Sequence, residues 1–256
     1  MRSAGILRGM VAATLVAGAA AGFAAEKSIL VYTKNGKGFV HDNIAASVVA
    51  IKKIGEKNGW KVDVSDQPTV FTEGNLKQYQ AIVFDNSNNE AFDTEEQKAA
   101  FQGYIHAGGG FAGIHSATGS ERKWPWYWKL IGGTFAWHHP LQPFTIVIVD
   151  KKHPSTAFFP ADTWKWEDEF YMVKERDENV RVLLAGDTAT ILKPGKKSEA
   201  LQDLKTPNPY PLCWCHEFEG GRAWYTALGH KSQYYSDPLF VQHLEGGIKW
   251  AMGEAK

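Results

Sequence analysis

Cysteine is scarce in this chain: 256 residues contain two, Cys213 and Cys215, separated by Trp214 in Leu212-Cys213-Trp214-Cys215-His216. That scarcity excludes a disulfide-stapled scaffold. A bond between residues i and i+2 would close a very tight ring of poor geometry. Both therefore read as buried thiols, and Cys-x-Cys beside His216 is not one of the usual zinc spacings. An excess of either charge is also missing, with 28 Lys and Arg against 28 Asp and Glu. A nucleic-acid partner, which calls for a clustered basic surface, is not expected. Nor is a polybasic contact with a membrane. Beyond the first residues no apolar run approaches the roughly 20 needed to span a bilayer. Repeats, low-complexity tracts and linkers are absent, so one domain over 26–256 is expected.

What is present begins with a targeting signature. Arg2 and Arg8 form a positive segment, Met10 to Gly22 is apolar and alanine-rich, and Gly22-Phe23-Ala24 offers a small-x-small cleavage site. This pattern predicts a secretory signal peptide over 1–25, removed on export to the periplasm or beyond. The remaining length suits one α/β domain with a substantial core.

Apolar β-branched runs alternate with helical segments. Ser28–Thr33, Trp60–Val64 and Ala81–Asp85 read as strands. A helix is expected from His41-Asp42-Asn43, with Asp42 or Asn43 as its cap, to Asn58-Gly59. A second follows Thr94, whose spacing to Gln97 fits a capping box. This alternation predicts βαβ units and a mainly parallel sheet. After residue 118 come strands at Phe144–Val149, Glu169–Val173 and Val180–Leu184. A hairpin pairs Pro211–Glu217 with Arg222–Leu228 through Glu219-Gly220-Gly221, and Pro238–Met252 closes the chain as a helix.

The most informative run is Gly108-Gly109-Gly110-Phe111-Ala112-Gly113-Ile114-His115-Ser116-Ala117. It reads as a short strand entering a sharp turn, the geometry of a nucleophile elbow. Such turns raise one side chain at the carboxyl end of a sheet, where α/β folds bind ligands. Here the raised residue is His115, where an elbow enzyme carries Ser or Cys.

Histidines recur at strand ends and beside glycines: His41, His115, His138, His139, His153, His216 and His230, of nine in all. None forms the His-x-x-x-His pair of a helical metal site. A divalent metal would therefore need convergence from distant segments, with His41, His115 and His139 as candidates.

Several motifs occur in a fixed order: Gly108–Ala117, His138-His139-Pro140, His153-Pro154, Trp166–Tyr171, Gly220–His230 and Asp237–Phe240. The ordered set resembles the trehalose-utilisation (ThuA-like) family over residues 27–253. The resemblance implies a flavodoxin-like three-layer α/β sandwich similar to class I glutamine amidotransferases, and a role in carbohydrate metabolism. Glutaminase activity is not expected, because thioester chemistry needs a thiolate and the elbow carries none.

The residue types suit acid–base chemistry on a sugar or keto-sugar, either isomerisation or glycosidic cleavage. His115, Glu169 and His230 are the candidate catalytic groups. Asp168, adjacent to Glu169 on a strand, points to the opposite face. His41, Asp42, His138, His139 and Tyr171 are candidates for substrate binding. Arg222 could polarise a carbonyl or brace the hairpin. Ten Trp are present, and the Trp124–Trp128 cluster, between the elbow and a His138-His139 loop, offers Trp126 as a sugar-stacking platform. The alternatives are a metal-dependent hydrolase built on the histidines and a non-catalytic sugar-binding module. The expected partner is a small carbohydrate, and a homo-oligomer is left open.

Overall fold

Apolar runs of four or five residues bury on both faces when they pair as parallel strands, and the first half of this chain is built from them. The computed structural model of the protein describes residues 1, 26–195 and 206–255. The signal peptide expected over 1–25 lies, from residue 2 onward, outside the described residues.

Strand β1 (Ser28–Tyr32) leads into helix α1 (Ile44–Asn58) and strand β2 (Lys61–Ser65). The short α2 (Glu73–Leu76) precedes β3 (Ala81–Asp85), α3 (Glu95–His106) and β4 (Gly110–Ile114). Two local expectations hold. Gly59 ends α1 in the left-handed conformation, φ 69°, and Thr94 and Gln97 form a complete capping box on α3. At the start of α1 the expectation holds in position only, Asn43 being the N-cap residue without a side-chain capping bond. Its carbonyl accepts the first helical bond, from the Ser47 N–H, while Asp42 is exposed outside the helix. The Asn43 amide instead donates to Asn86 Oδ1 and to the Gly229 carbonyl, bonds that tie this turn to the site below.

The second half comprises α4 (Pro125–Ile131), β5 (Thr134–Ile148), β6 (Thr163–Lys174), β7 (Arg181–Gly186), β8 (Tyr210–Phe218), β9 (Gly221–Thr226) and α5 (Pro238–Ala251). The sheet order is β2-β1-β3-β4-β9-β8-β7-β5-β6. The first five strands run parallel and every later pairing is antiparallel. The sheet is thus mixed rather than mainly parallel. The β8–β9 hairpin causes the change: it lays β9 parallel to β4 and returns β8 the other way. Its turn residues Glu219 and Gly220 take φ of 47° and 95°, the positive values a tight hairpin turn requires.

The expected His138-His139 loop is strand. β5 carries both histidines and Pro140, and a register shift against β6 between His139 and Gln142 falls at this proline, as expected where a ladder donor is lost. Fully buried aromatics, among them Tyr32, Phe84, Phe101 and Phe111, pack the core beside the parallel strands. Among the described residues no helix is long and apolar enough to cross a membrane.

Candidate active site

The carboxyl edge of the parallel strands gathers the polar residues. β4 ends at Ile114, and His115 enters a short 3-10 turn with φ 49°. A non-glycine residue in that region costs about 1–2 kcal/mol, the kind of strain that clusters at functional sites. The elbow expected from the glycine run is therefore real, and His115 occupies its apex. His41 follows β1, and Gly229-His230 follows β9. Gly229 has φ 124°, and a Cβ there would come within 2.8 Å of the Tyr235 hydroxyl, so the turn that presents His230 needs glycine.

From the antiparallel half, β5 and β6 reach over this edge. Glu169 and Tyr171 stand two apart on β6 and share one face. Tyr171 is the register partner of His138.

These segments bring together four candidates from distant parts of the chain. The buried His115 ring places Nδ1 2.7 Å from the Ala227 carbonyl. A carbonyl only accepts, so Nδ1 carries the proton and Nε2 is left as a bare acceptor. That Nε2 lies 3.3 Å from His230 Nδ1 and 3.7 Å from Glu169 Oε2. His230 Nδ1 is 3.2 Å from the same carboxylate oxygen. The His41 ring stands edge-on to His115 with centroids 4.7 Å apart. Tyr171 covers the His115 ring at 4.3 Å. The other carboxylate oxygen, Oε1, lies 3.6 Å from His138 Nδ1. Glu169 thus presents its two oxygens to two settings: Oε2 to the buried imidazoles and Oε1 to the half-exposed His138.

Burial sets the electrostatics. It lowers His41 and His230 to about 4 and takes His115 well below the usual imidazole value, with neighbouring imidazoles adding to the effect in His41 and His115. It raises the Glu169 carboxyl, against the pull of His138 and Lys231. Three neutral rings therefore face a carboxyl whose proton affinity is increased, a combination suited to holding or moving protons near neutral pH. One donor atom from each of His41, His115, Glu169 and His230 lies within 4.8 Å of the others, so among the described residues these four could hold a metal.

Above the cluster opens a cleft of about 230 Å³, lined among others by Phe39, His41, Ser116, Arg122, His138, Glu169 and Tyr171. It is smaller than the roughly 300–1,000 Å³ of drug-sized sites, a size for a small ligand.

Other expectations are corrected. His139 leaves the cluster: neighbours on a strand face opposite ways, and its Nδ1 accepts from the Gly195 N–H at 2.9 Å while its ring packs on Trp137. Arg222 sits at the amino end of β9, register partner of Gly110 and close to Gly253, the opposite edge of the sheet from the site. Trp126 does not line the cleft either. Its Nε1 donates to Glu219 Oε2 at 2.8 Å and its ring packs on Phe101 and Phe218. Asp42 is exposed and reaches the cluster only as a nearby charge that raises His41 and His230.

Asp168 is more important to the site than its sequence position suggests. It is fully buried and accepts from the backbone N–H of Gly229 at 2.8 Å, of Glu169 at 2.9 Å and of His230 at 3.3 Å, and from Trp166 Nε1 at 3.0 Å. Burial outweighs these donors and lifts it to about 7. One side chain thereby fixes both Glu169 and His230. Gly229 is gripped from the other side by a buried network, in which Asn43 Nδ2 and the Tyr235 hydroxyl both donate to its carbonyl. Arg122 was also beyond sequence reasoning. It lines the cleft, donates to the Gly119 carbonyl and Asn88 Oδ1, and lies over the Phe135 ring. The stretch around it carries no motif that would single it out.

Comparison with known proteins agrees with this frame. The family model for trehalose utilisation, ThuA, matches residues 28–251. The chain belongs to the ThuA family. Among solved structures, a ThuA-like protein from Bacteroides uniformis is 21% identical with a TM-score of 0.68, covering 93% of this chain and 97% of that one. A ThuA-like protein from Parabacteroides merdae is 20% identical with a TM-score of 0.68, covering 90% and 91% respectively. These likenesses show the ThuA fold. No curated protein matches the chain. The family ties the chain to carbohydrate metabolism, and the residues gathered at the elbow lie inside the matched region.

Proposed function

We propose that this protein is an exported enzyme that moves a proton on a sugar or keto-sugar, leading to isomerisation or to cleavage beside a carbonyl. One observation carries the reading: Glu169 faces the cleft with its proton affinity raised by burial, held between neutral His115 and His230 on one side and His138 on the other. Removing a proton from carbon next to a carbonyl needs a base that is ionised near neutral pH yet basic enough to act, and a buried carboxylate meets both demands. His138 and the protein surface then provide the route by which that proton exchanges with solvent. Ser116, Tyr171 and Arg122 supply polar contacts to sugar oxygens, and Phe39 and Phe135 offer apolar faces for the ring.

The five parallel strands in order β2-β1-β3-β4-β9 with an elbow after the interior strand β4 support a flavodoxin-like sandwich related to class I amidotransferases. The missing elbow thiol argues against glutaminase chemistry. Export rests on the Arg2–Ala25 pattern, and sequencing the amino terminus of the mature protein tests it.

The function is tested by incubating the protein with glycosides and keto-glycosides in deuterated water and following products by mass spectrometry. Deuterium at the carbon next to the carbonyl, lost in Glu169→Gln, is the expected result. Binding of the sugars with neither conversion nor exchange would leave a sugar-binding module instead.

A further inference from the structure

We propose that His41, His115, Glu169 and His230 together form a binding site for one divalent first-row transition-metal ion, zinc being the best match to the donors. The site lies in the cleft read above as catalytic. It rests on that reading for its use and not for its existence.

Geometry comes first. One donor atom from each of the four lies within 4.8 Å of the other three. A tetrahedral ion with bonds of about 2.0–2.2 Å needs donors somewhat closer than that, a contraction within the reach of side-chain rotation. Three imidazoles and one carboxylate form a donor set of the kind zinc takes, and imidazole-rich sites are shared with iron, nickel and copper.

The second argument is the order already imposed on the donors. Metal-bound histidine commonly donates its other ring N–H to a carbonyl or carboxylate, which fixes the tautomer. His115 does this with the Ala227 carbonyl, leaving Nε2 bare toward His230 and Glu169. Asp168 holds the backbone of both His230 and Glu169. Three of the four donors are thus positioned by bonds that do not use their ligating atoms.

The third is a buried polar atom without a partner. His41 is 6% exposed, and its Nδ1 has no hydrogen bond. Nearly all buried polar side-chain atoms find a partner, and one that does not calls for an explanation such as an ion. With the ion on the Oε2 side of Glu169, Oε1 still faces His138.

The test measures binding directly. The purified protein is stripped with chelator, dialysed, and titrated with Zn²⁺ by calorimetry. Separately it is loaded with Zn²⁺, gel-filtered and assayed for metal by mass spectrometry. The expected result is about one ion per chain, with affinity weakened at least about tenfold in His230→Ala and Glu169→Gln, a loss in the range typical of damaged metal sites. His139→Ala, outside the cluster, should bind as the parent does. His230 is partly exposed and Glu169→Gln preserves shape, so both variants can be checked for folding by circular dichroism. Substoichiometric metal, or equal affinity in parent and both variants, overturns the site. A protein that binds the ion but converts no sugar upholds the site and refutes the proposed function. One that converts sugar after stripping and binds no ion does the reverse.

Discussion

The His115 imidazole donates its Nδ1 proton to the carbonyl oxygen of Ala227 across 2.7 Å, joining the end of β4 to the residue after β9. The bond fixes the tautomer of a ring at the elbow apex and aims its unprotonated nitrogen at Glu169 and His230. A residue in the left-handed region, fully buried and held by a neighbouring strand, has little freedom left. That rigidity is what a pre-organised site requires.

Replacing His115 tests this directly. His115→Ala should lower turnover by roughly 10²–10⁴-fold, the usual contribution of a positioned acid–base group. His115→Asn is the companion variant, because Asn tolerates the left-handed conformation and keeps the turn. It should fold as the parent does and still be inactive. Full turnover in the Asn variant would remove the imidazole from the mechanism.

The pH profile of turnover should report Glu169. Burial raises its pKa above 4.5, and a base must be ionised to act. Activity should therefore fall as pH drops through that raised value, at higher pH than an exposed glutamate would give. A profile flat down to pH 4.5 would argue against a carboxylate base.

Stability should also depend on pH, and two sets of groups oppose each other. His41, His230 and His243 sit at about 4 and His153 at about 3, against 6.5 when unfolded, and His115 is lowered too. Between about 4 and 6.5 the unfolded chain binds more protons at these rings, so they make stability rise with pH. Asp85 and Asp168, raised from 3.8 to about 7, act the other way over the same range, as does Glu169. The imidazoles outnumber the carboxyls, so the urea midpoint should climb from pH 4.5 to about 6. A midpoint falling over that interval would show that the buried carboxyls dominate.

Position relative to the cleft separates Phe39, which the sequence did not mark, from Arg222, which it did. Phe39 is 63% exposed and lines the cleft mouth. Phe39→Ala should raise KM for the sugar several-fold with little change in kcat, as loss of uniform binding does. Arg222→Ala, at the far edge of the sheet, should leave both constants near parental values. The reverse pattern, seen in steady-state kinetics, would place the substrate elsewhere.

Much of the fold was legible in the chain, because its signals are local. The β-branched runs, the Thr94–Gln97 box, the Gly59 stop and the elbow at His115 each depend on a few consecutive residues. The antiparallel half was less so. β5 runs to 15 residues through a proline and a register shift, and periodicity breaks where such irregularities occur. The same irregular strand decided that His138 faces the cleft and His139 does not.

The sequence by itself determined the residue types, the elbow and the family, and it marked His115, Glu169 and His230 as candidates. Tertiary structure alone decided which of them meet. His115 and His230 stand 115 residues apart in the chain and 3.3 Å apart in space. That meeting depends on β9 pairing with β4, on Asp168 gripping the Gly229-His230 backbone, and on β6 reaching over the sheet edge. It also removed Arg222, Trp126 and His139, whose chemistry is suitable but whose places are not. Side-chain chemistry is written residue by residue, whereas convergence is a property of strand order and register, which distant pairings set.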